Sequence, residues 1–457
     1  MIQSAEEPAN EPDTATSQTV QPASEIPFFS PEGSPDGASD AAFTKDPTHV
    51  FLKGYRELGP VFKVRFAERE QYALGGVEAN SFVWTQHDLW DYYSTNRHFR
   101  EQFSDRYLNQ LEGKPYLQKR RRMMQGFRPS VLMAHTDRMS EAIFREVDRL
   151  PDGVADLRLF CMRVIIAMIA RVLVQKDLPE GMDRLMALSN REMLKASNMG
   201  WKRWLWYAYP PKLWKRRKIF NYLGSILDER ERNGGPEKDD ILSAVLSAKE
   251  KNAPAIPRYE AIHDLSQLFM AGSTTSSMII AWSLLHCYHD PAWLEEVRTE
   301  LKDWDPYGFR SIDPFPKLRA TTLEIERLHP GVPVFNRVTA EPFTFGGYRI
   351  PKGSDILHLH TLAHFMEEIY EEPDAFRPAR FIENPDLPPK DVHGTFSGGR
   401  HKCLGSPLAR IQPPLFTANI LKYYDLEFIT RPSFREKYDA VVAPAEEPLM
   451  VRFHERS

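Results

Sequence analysis

Of the three cysteines in this 457-residue chain, Cys403 is placed to do chemistry. It lies in Phe396-Ser-Gly-Gly-Arg-His-Lys-Cys-Leu-Gly405, a glycine-rich loop just ahead of a helical stretch that begins near Pro407. Glycines let the backbone approach a bulky group closely. A thiolate bound to a metal needs positive charge and peptide N–H groups beside it, and Arg400, His401, Lys402 and the start of the following helix could supply both. Taken alone, the loop is read more simply as a turn holding a buried cysteine.

Other residues form patterns of their own. Glu324-Ile-Glu-Arg327 sets an acid and a base at i and i+3, on one face of a helix where they can pair. Ala271-Gly-Ser-Thr-Thr-Ser276 is a hydroxyl run which, taken bare, would bond back to the preceding turn. His358 and His360 have the spacing that points both rings to one side of a strand, with His364 nearby. No cysteine or acid completes a metal site there, so these histidines are expected to be structural or at the surface. Cys161 and Cys287, flanked by apolar helical sequence, are expected to be inert core residues.

The loop resembles the haem-binding signature of the cytochrome P-450 family, Phe-x-x-Gly-x-x-x-Cys-x-Gly, matched by Phe396, Gly399, Cys403 and Gly405. That resemblance implies that Cys403 is the thiolate ligand of the haem iron, and that His401 and Arg337 contact haem propionate. Gly113–Phe127 resembles the helix reaching the other propionate, with Arg120 in the arginine position and Tyr116 where histidine or tryptophan is usual. Phe376-Arg-Pro-Ala-Arg-Phe381 resembles the downstream motif whose arginine, Arg380, completes a structural brace with Glu324 and Arg327. Ala271, Gly272 and Thr275 match the family's oxygen-side pattern, and Trp282 keeps the register. Thr274 stands where that pattern has an acid, which suggests ordered water held by Thr274 and Thr275 as the proton carrier.

The activity implied is a monooxygenase that uses haem b to insert one oxygen atom from dioxygen into a lipophilic organic substrate. Electrons would come from a separate ferredoxin or flavodoxin with its reductase, because the chain has no Gly-x-Gly-x-x-Gly dinucleotide fingerprint. The missing acid at Thr274 keeps a peroxygenase, a dehydratase or isomerase, and a nitric oxide reductase as alternatives. A haem sensor or carrier is less well supported. Lys119-Arg-Arg-Arg122 with Lys402 and Arg410 would form either a docking patch for an acidic donor or a solvated helix face. Trp201, Trp204, Trp206 and Trp214, mixed with basic residues, suit a lid over the substrate channel or a peripheral lipid contact.

These residues must be positioned by a mainly α fold with a small β region. Pro257 to Asp290 has no interior proline and predicts a helix of about 30 residues, roughly 45 Å long, crossing the whole domain. Inside it, Gly272 asks for either a close ligand or helix–helix contact. Val61–Phe66 and Phe343–Ile350, followed by a turn at Pro351-Lys-Gly353, predict strands. Residues 1–40 carry eight acids, six prolines and no lysine or arginine, so residues 1–42 are expected to be a disordered acidic tail before one catalytic domain over 43–457. A net charge of −4 excludes a strongly basic nucleic-acid binder. Three cysteines point to a reducing compartment, hence the cytoplasm, and no purely apolar run reaches the roughly 20 residues of a membrane span.

Overall fold

The computed structural model describes residues 20–31, 40–66, 69–95, 97–196, 202–233, 240–247, 256–438 and 441–456. Most of the tail, residues 1–19 and 32–39, and Trp201 lie outside the described residues. Strands β1 (Gln21–Pro22), β2 (Val61–Phe66), β3 (Arg69–Gly75), β4 (Phe335–Val338), β5 (Phe343–Phe345), β6 (Tyr348–Ile350) and β7 (Asp355–Leu359) build two small sheets. One has the order β2-β3-β7-β4 and the other β1-β6-β5. Both predicted strand regions are present, the second as a hairpin turning at Gly346-Gly347.

The helices that bear on the site are α1 (Val77–Thr85), α2 (Arg97–Gln102), α3 (Gly113–Met124), α4 (Leu157–Leu173) and α5 (Met182–Ala196). They continue with α6 (Arg203–Tyr207), α7 (Pro210–Arg232), α8 (Arg258–His289), α9 (Pro316–Leu328) and α10 (Gln412–Tyr423). Helix α8 is the predicted long helix. Its 32 residues span roughly 48 Å, and Asp290 ends it by turning its carboxylate to the Trp293 N–H of the next helix at 3.0 Å.

Apolar residues surround α8 on nearly every side, as in a helix that runs through a core rather than over it. Its composition would also suit a bilayer span, yet 78% of its most apolar window is buried inside the protein. Helix α4 packs against it most extensively, with Ile165, Ile166 and Ile169 buried in the same cluster. Each such side chain contributes about 1.5–3 kcal/mol of burial.

The tail expectation needs correction for residues 20–31. Strand β1 pairs in parallel with β6, Phe28 bridges to Lys63, and Ile26 and Phe29 are buried. The short run Ile26-Pro-Phe-Phe29 supplies the apolar surface that the surrounding acidic sequence lacks, and a free sheet edge supplies the hydrogen bonds.

Candidate active site

The cysteine loop closes on itself. Ser397 and Gly399 take left-handed backbone, with φ of 54° and 62°, and the Cys403 N–H donates to the Phe396 carbonyl at 2.9 Å. Position 399 admits only glycine, because a Cβ there would lie 2.0 Å from the Trp84 carbonyl oxygen of α1. The Cys403 side chain is accessible to solvent, yet protein surrounds it closely enough that burial pushes its thiol pKa up. A sulfur of this kind faces an internal cleft. The Gly405 N–H, the Arg120 charge, the Ser406 N–H and the Lys402 charge act in the opposite direction and favour the thiolate.

Beside the loop, His401 is stacked between Tyr92 and Tyr116, at centroid distances of 3.7 and 4.1 Å. Its pKa is pushed down to about 3 by burial and by the charges of Arg337, Arg120, His87 and Arg400. Arg337, only 9% exposed, donates to the Asn336 carbonyl at 2.8 Å and lies over the Tyr92 ring at 5.4 Å. Its Nε has no partner, and among the described residues no carboxylate pairs with it. Arg120 likewise meets no carboxylate and donates to the Tyr116 hydroxyl at 3.2 Å. An uncompensated buried cation such as Arg337 is costly, and with the half-buried Arg120 beside an accessible thiol it fits the propionates of a haem ligated by that thiol. Tyr116 fits less directly. Its hydroxyl proton is already donated to the Arg400 carbonyl at 2.6 Å, so it supports the loop and leaves no O–H for a propionate.

Across from the loop stands α8. Ala271 is exposed in the middle of a helix otherwise enclosed by protein, so it faces an internal space, and Thr275 one turn on is half-buried. Thr275 Oγ1 donates to the Ala271 carbonyl at 3.2 Å and retains lone pairs to accept from another group. Its methyl side packs on Gly331, where a Cβ would come within 3.2 Å. Thr274 differs: it is 4% exposed and donates to the Met270 carbonyl at 2.9 Å, so its hydroxyl is withdrawn from the cleft. Of the two hydroxyls expected to share a water relay, that of Thr275 is the one at the cleft. Gly272 is explained by helix crossing, because a Cβ there would lie 2.9 Å from Ile169 Cδ1 of α4.

The sequence model of the family described as Cytochrome P450 matches residues 40–452. This chain belongs to the cytochrome P450 family. Among curated relatives of this cytochrome P450, an oryzalexin D synthase of Oryza sativa subsp. japonica is 31% identical over 223 residues, 46% of this chain and 44% of that one. A sterol 14alpha-demethylase of Mycolicibacterium vanbaalenii is 28% identical over 238 residues, 49% of this chain and 52% of the other. The chain thus spans about half the length of the curated relatives it matches. The structure titled retinoic acid bound cyanobacterial CYP120A1 matches with a TM-score of 0.79 at 20% identity, over 94% of this chain and 98% of that one, which establishes the fold. Membership of the family brings a haem cofactor, and the Cys403 loop with its arginines is where this cytochrome P450 would hold it.

The brace is complete. Glu324 and Arg327 are fully buried and meet through two bonds of 2.8 and 2.9 Å. Arg380 Nε adds a third at 3.2 Å and the Arg377 N–H a fourth at 2.8 Å. Arg327 also donates to the carbonyls of His364, Pro373 and Ala375. The histidines are structural. His364 Nδ1 lies 3.0 Å from the Arg327 carbonyl, while its Nε2 accepts the Gly394 N–H at 2.9 Å. His358 bonds Asn80 at 2.8 Å, and His360 stacks on Phe335. Cys161 and Cys287 are buried, and burial pushes both thiols up, Cys287 to about 12.

Near the entrance of this cytochrome P450, α2, α5, α6, α7 and α8 enclose a cavity of about 240 Å3. Phe103, Met186, Ile219, Phe220, Leu223 and Phe269 give it an apolar wall. Trp204 lines it as well, while Leu205, Tyr209, Leu213 and Trp214 are largely exposed. The expected basic patch loses a member: Lys119 turns inward to Glu260 at 3.0 Å and Asp264 at 2.8 Å on α8. Lys402 and Arg410 remain exposed beside the cysteine loop.

Proposed function

We propose that this cytochrome P450 is a haem b monooxygenase that transfers one atom of dioxygen to a lipophilic substrate, with a separate ferredoxin or flavodoxin as electron donor. The observation that carries the reading is Arg337, a buried cation with no acidic partner beside the Cys403 loop. The haem, when bound, supplies the redox centre at which dioxygen is reduced and cleaved. Cys403 would hold its iron through Sγ, with the Gly405 and Ser406 N–H groups stabilising charge on that sulfur. Arg337, Arg120 and the stacked ring of His401 would bind and orient the propionates. Thr275 holds a proton at Oγ1 next to the space that Ala271 faces.

A sterol demethylase among the relatives and a neighbour with bound retinoic acid support a lipophilic substrate. Lys402 and Arg410 offer an acidic donor a contact next to the cysteine loop. A cytoplasmic setting is consistent with three unpaired cysteines.

A second reading, oxidation driven by peroxide, is favoured by Thr274, which puts a buried, back-bonded alcohol where an acid would deliver protons. Carbon monoxide added to the reduced holoprotein should give the red-shifted Soret band of a thiolate-ligated haem, and Cys403→Ala should remove it. Turnover with dioxygen, a ferredoxin and its reductase, exceeding turnover with hydrogen peroxide, supports the monooxygenase. The reverse order selects the second reading.

A further inference from the structure

The entrance cavity holds more positive charge than its surroundings neutralise. Lys212 and Arg216, one turn apart on the same face of α7, both line it. Lys212 is 8% exposed, lies over the rings of Tyr207 at 4.5 Å and Trp206 at 5.5 Å, and reaches only Gln102 Oε1 at 3.5 Å. Arg216, which keeps access to solvent, donates to the Gln102 carbonyl at 3.1 Å and covers the Phe220 ring at 4.3 Å. Among the described residues neither cation pairs with a carboxylate. The nearby acids are taken. Glu101, in the same wall, is held by two nitrogens of Arg203 at 2.8 and 2.9 Å and by Arg97 at 3.4 Å, and Glu192 pairs with Lys215.

Burying an ammonium group without an anion is costly. That cost falls on Lys212, which burial pushes down to about 8, whereas Arg216 is exposed and bears little of it. A ligand with an apolar body and a single anionic head relieves it, the body against Phe103, Ile219, Leu223 and Phe269 and the head against the two cations. A planar carboxylate suits the guanidinium fork. The Glu101 carboxylate in the wall weighs against a doubly charged phosphate.

We propose that this cavity is a substrate subsite for a lipophilic carboxylic acid, with the carboxylate held between Lys212 and Arg216. The cavity touches α8 at Ser266 and Phe269, two and a half turns and under two turns before Thr275. An acid anchored there and extended along α8 brings its far end, not the carbon next to its head, towards Ala271 and Thr275. Where oxidation falls rests on the monooxygenase reading; the affinity for an acid does not.

The test is calorimetric titration of the holoprotein with matched pairs, hexadecanoic acid against hexadecanol and farnesoic acid against farnesol. In at least one pair the acid should bind about tenfold or more tightly than its alcohol. Lys212→Gln with Arg216→Gln should reduce that preference to about twofold or less, while Lys212→Arg keeps it. Equal affinity within both pairs, or a preference that survives the double substitution, overturns the proposal. If the double variant loses the carbon monoxide spectrum it has misfolded, and Arg216→Gln alone then decides by the same criterion. An acid preference without turnover under dioxygen retains the subsite and rejects the monooxygenase, whereas turnover without a preference does the opposite.

Discussion

The imidazole of His401 stacks on the ring of Tyr92, with centroids 3.7 Å apart and planes 15° apart. The two residues are 309 positions apart in sequence, and their contact ties the cysteine loop to the segment after α1. Tyr116 covers His401 as well, and its hydroxyl bonds the adjacent Arg400 carbonyl. Both tyrosines hold the ring in place, and Arg337 and Arg120 lie close to it.

Replacing Arg337 with glutamine removes the buried cation that has no acidic partner. Haem loss, followed by transfer of the haem to an apo-globin acceptor, should accelerate by about tenfold, with Arg337→Lys falling in between. An unchanged rate would show that Arg337 does not bind the cofactor.

Thr275 and Thr274 should separate cleanly. Thr275→Ala should lower coupled product formation by at least about tenfold and divert electrons to hydrogen peroxide. Thr274→Ala, which removes a buried back-bonded hydroxyl, should change coupling by less than about twofold. The measurement is product formed per NADPH consumed, and a larger effect at Thr274 would reverse the assignment.

Glu324→Gln leaves Arg327 and Arg380 buried without their anion. Breaking a buried pair of this kind costs about 3–5 kcal/mol. Thermal unfolding of the variant should begin well below that of the parent protein, and a melting temperature within error of the parent would remove the brace from the account of stability.

His49 gives a pH dependence with a definite sign. Its bond to Asp46 first, and then its bond to Asp374, raises its pKa from 6.5 to about 9 against the effect of burial. A raised value means that the protonated form stabilises the fold. The contribution is complete below pH 6.5 and disappears as the pH rises through about 9. Both partners are half-exposed, which limits the contribution to about 1 kcal/mol or less. The melting temperatures of the parent and Asp374→Asn should differ at pH 6 and converge by pH 10.

Features carried by contiguous residues were legible in the sequence. The Cys403 loop, the Glu324–Arg327 pair and the long α8 each depend on local spacing, and each stands where that spacing put it. What escaped depends on partners far along the chain. Tyr92 carries no motif, and Gly331 is marked only by being a glycine, although both pack on site residues. The approach of Ile169 to Gly272 carries no local mark, and Lys119 looked solvent-facing until α8 supplied Glu260 and Asp264. The acidic tail was judged by its average composition, which conceals the four-residue apolar run at Ile26–Phe29.

His364 is a strut between two parts of the protein. One ring nitrogen holds the Arg327 carbonyl of the brace, and the other holds the Gly394 N–H at the root of the cysteine loop. Only a neutral ring with its proton on Nδ1 can do both. The position of the sulfur is thus inherited from a charge cluster that never touches it. Damage to that cluster would be read out at the iron, as a ligand out of place, before it showed as a collapsed fold.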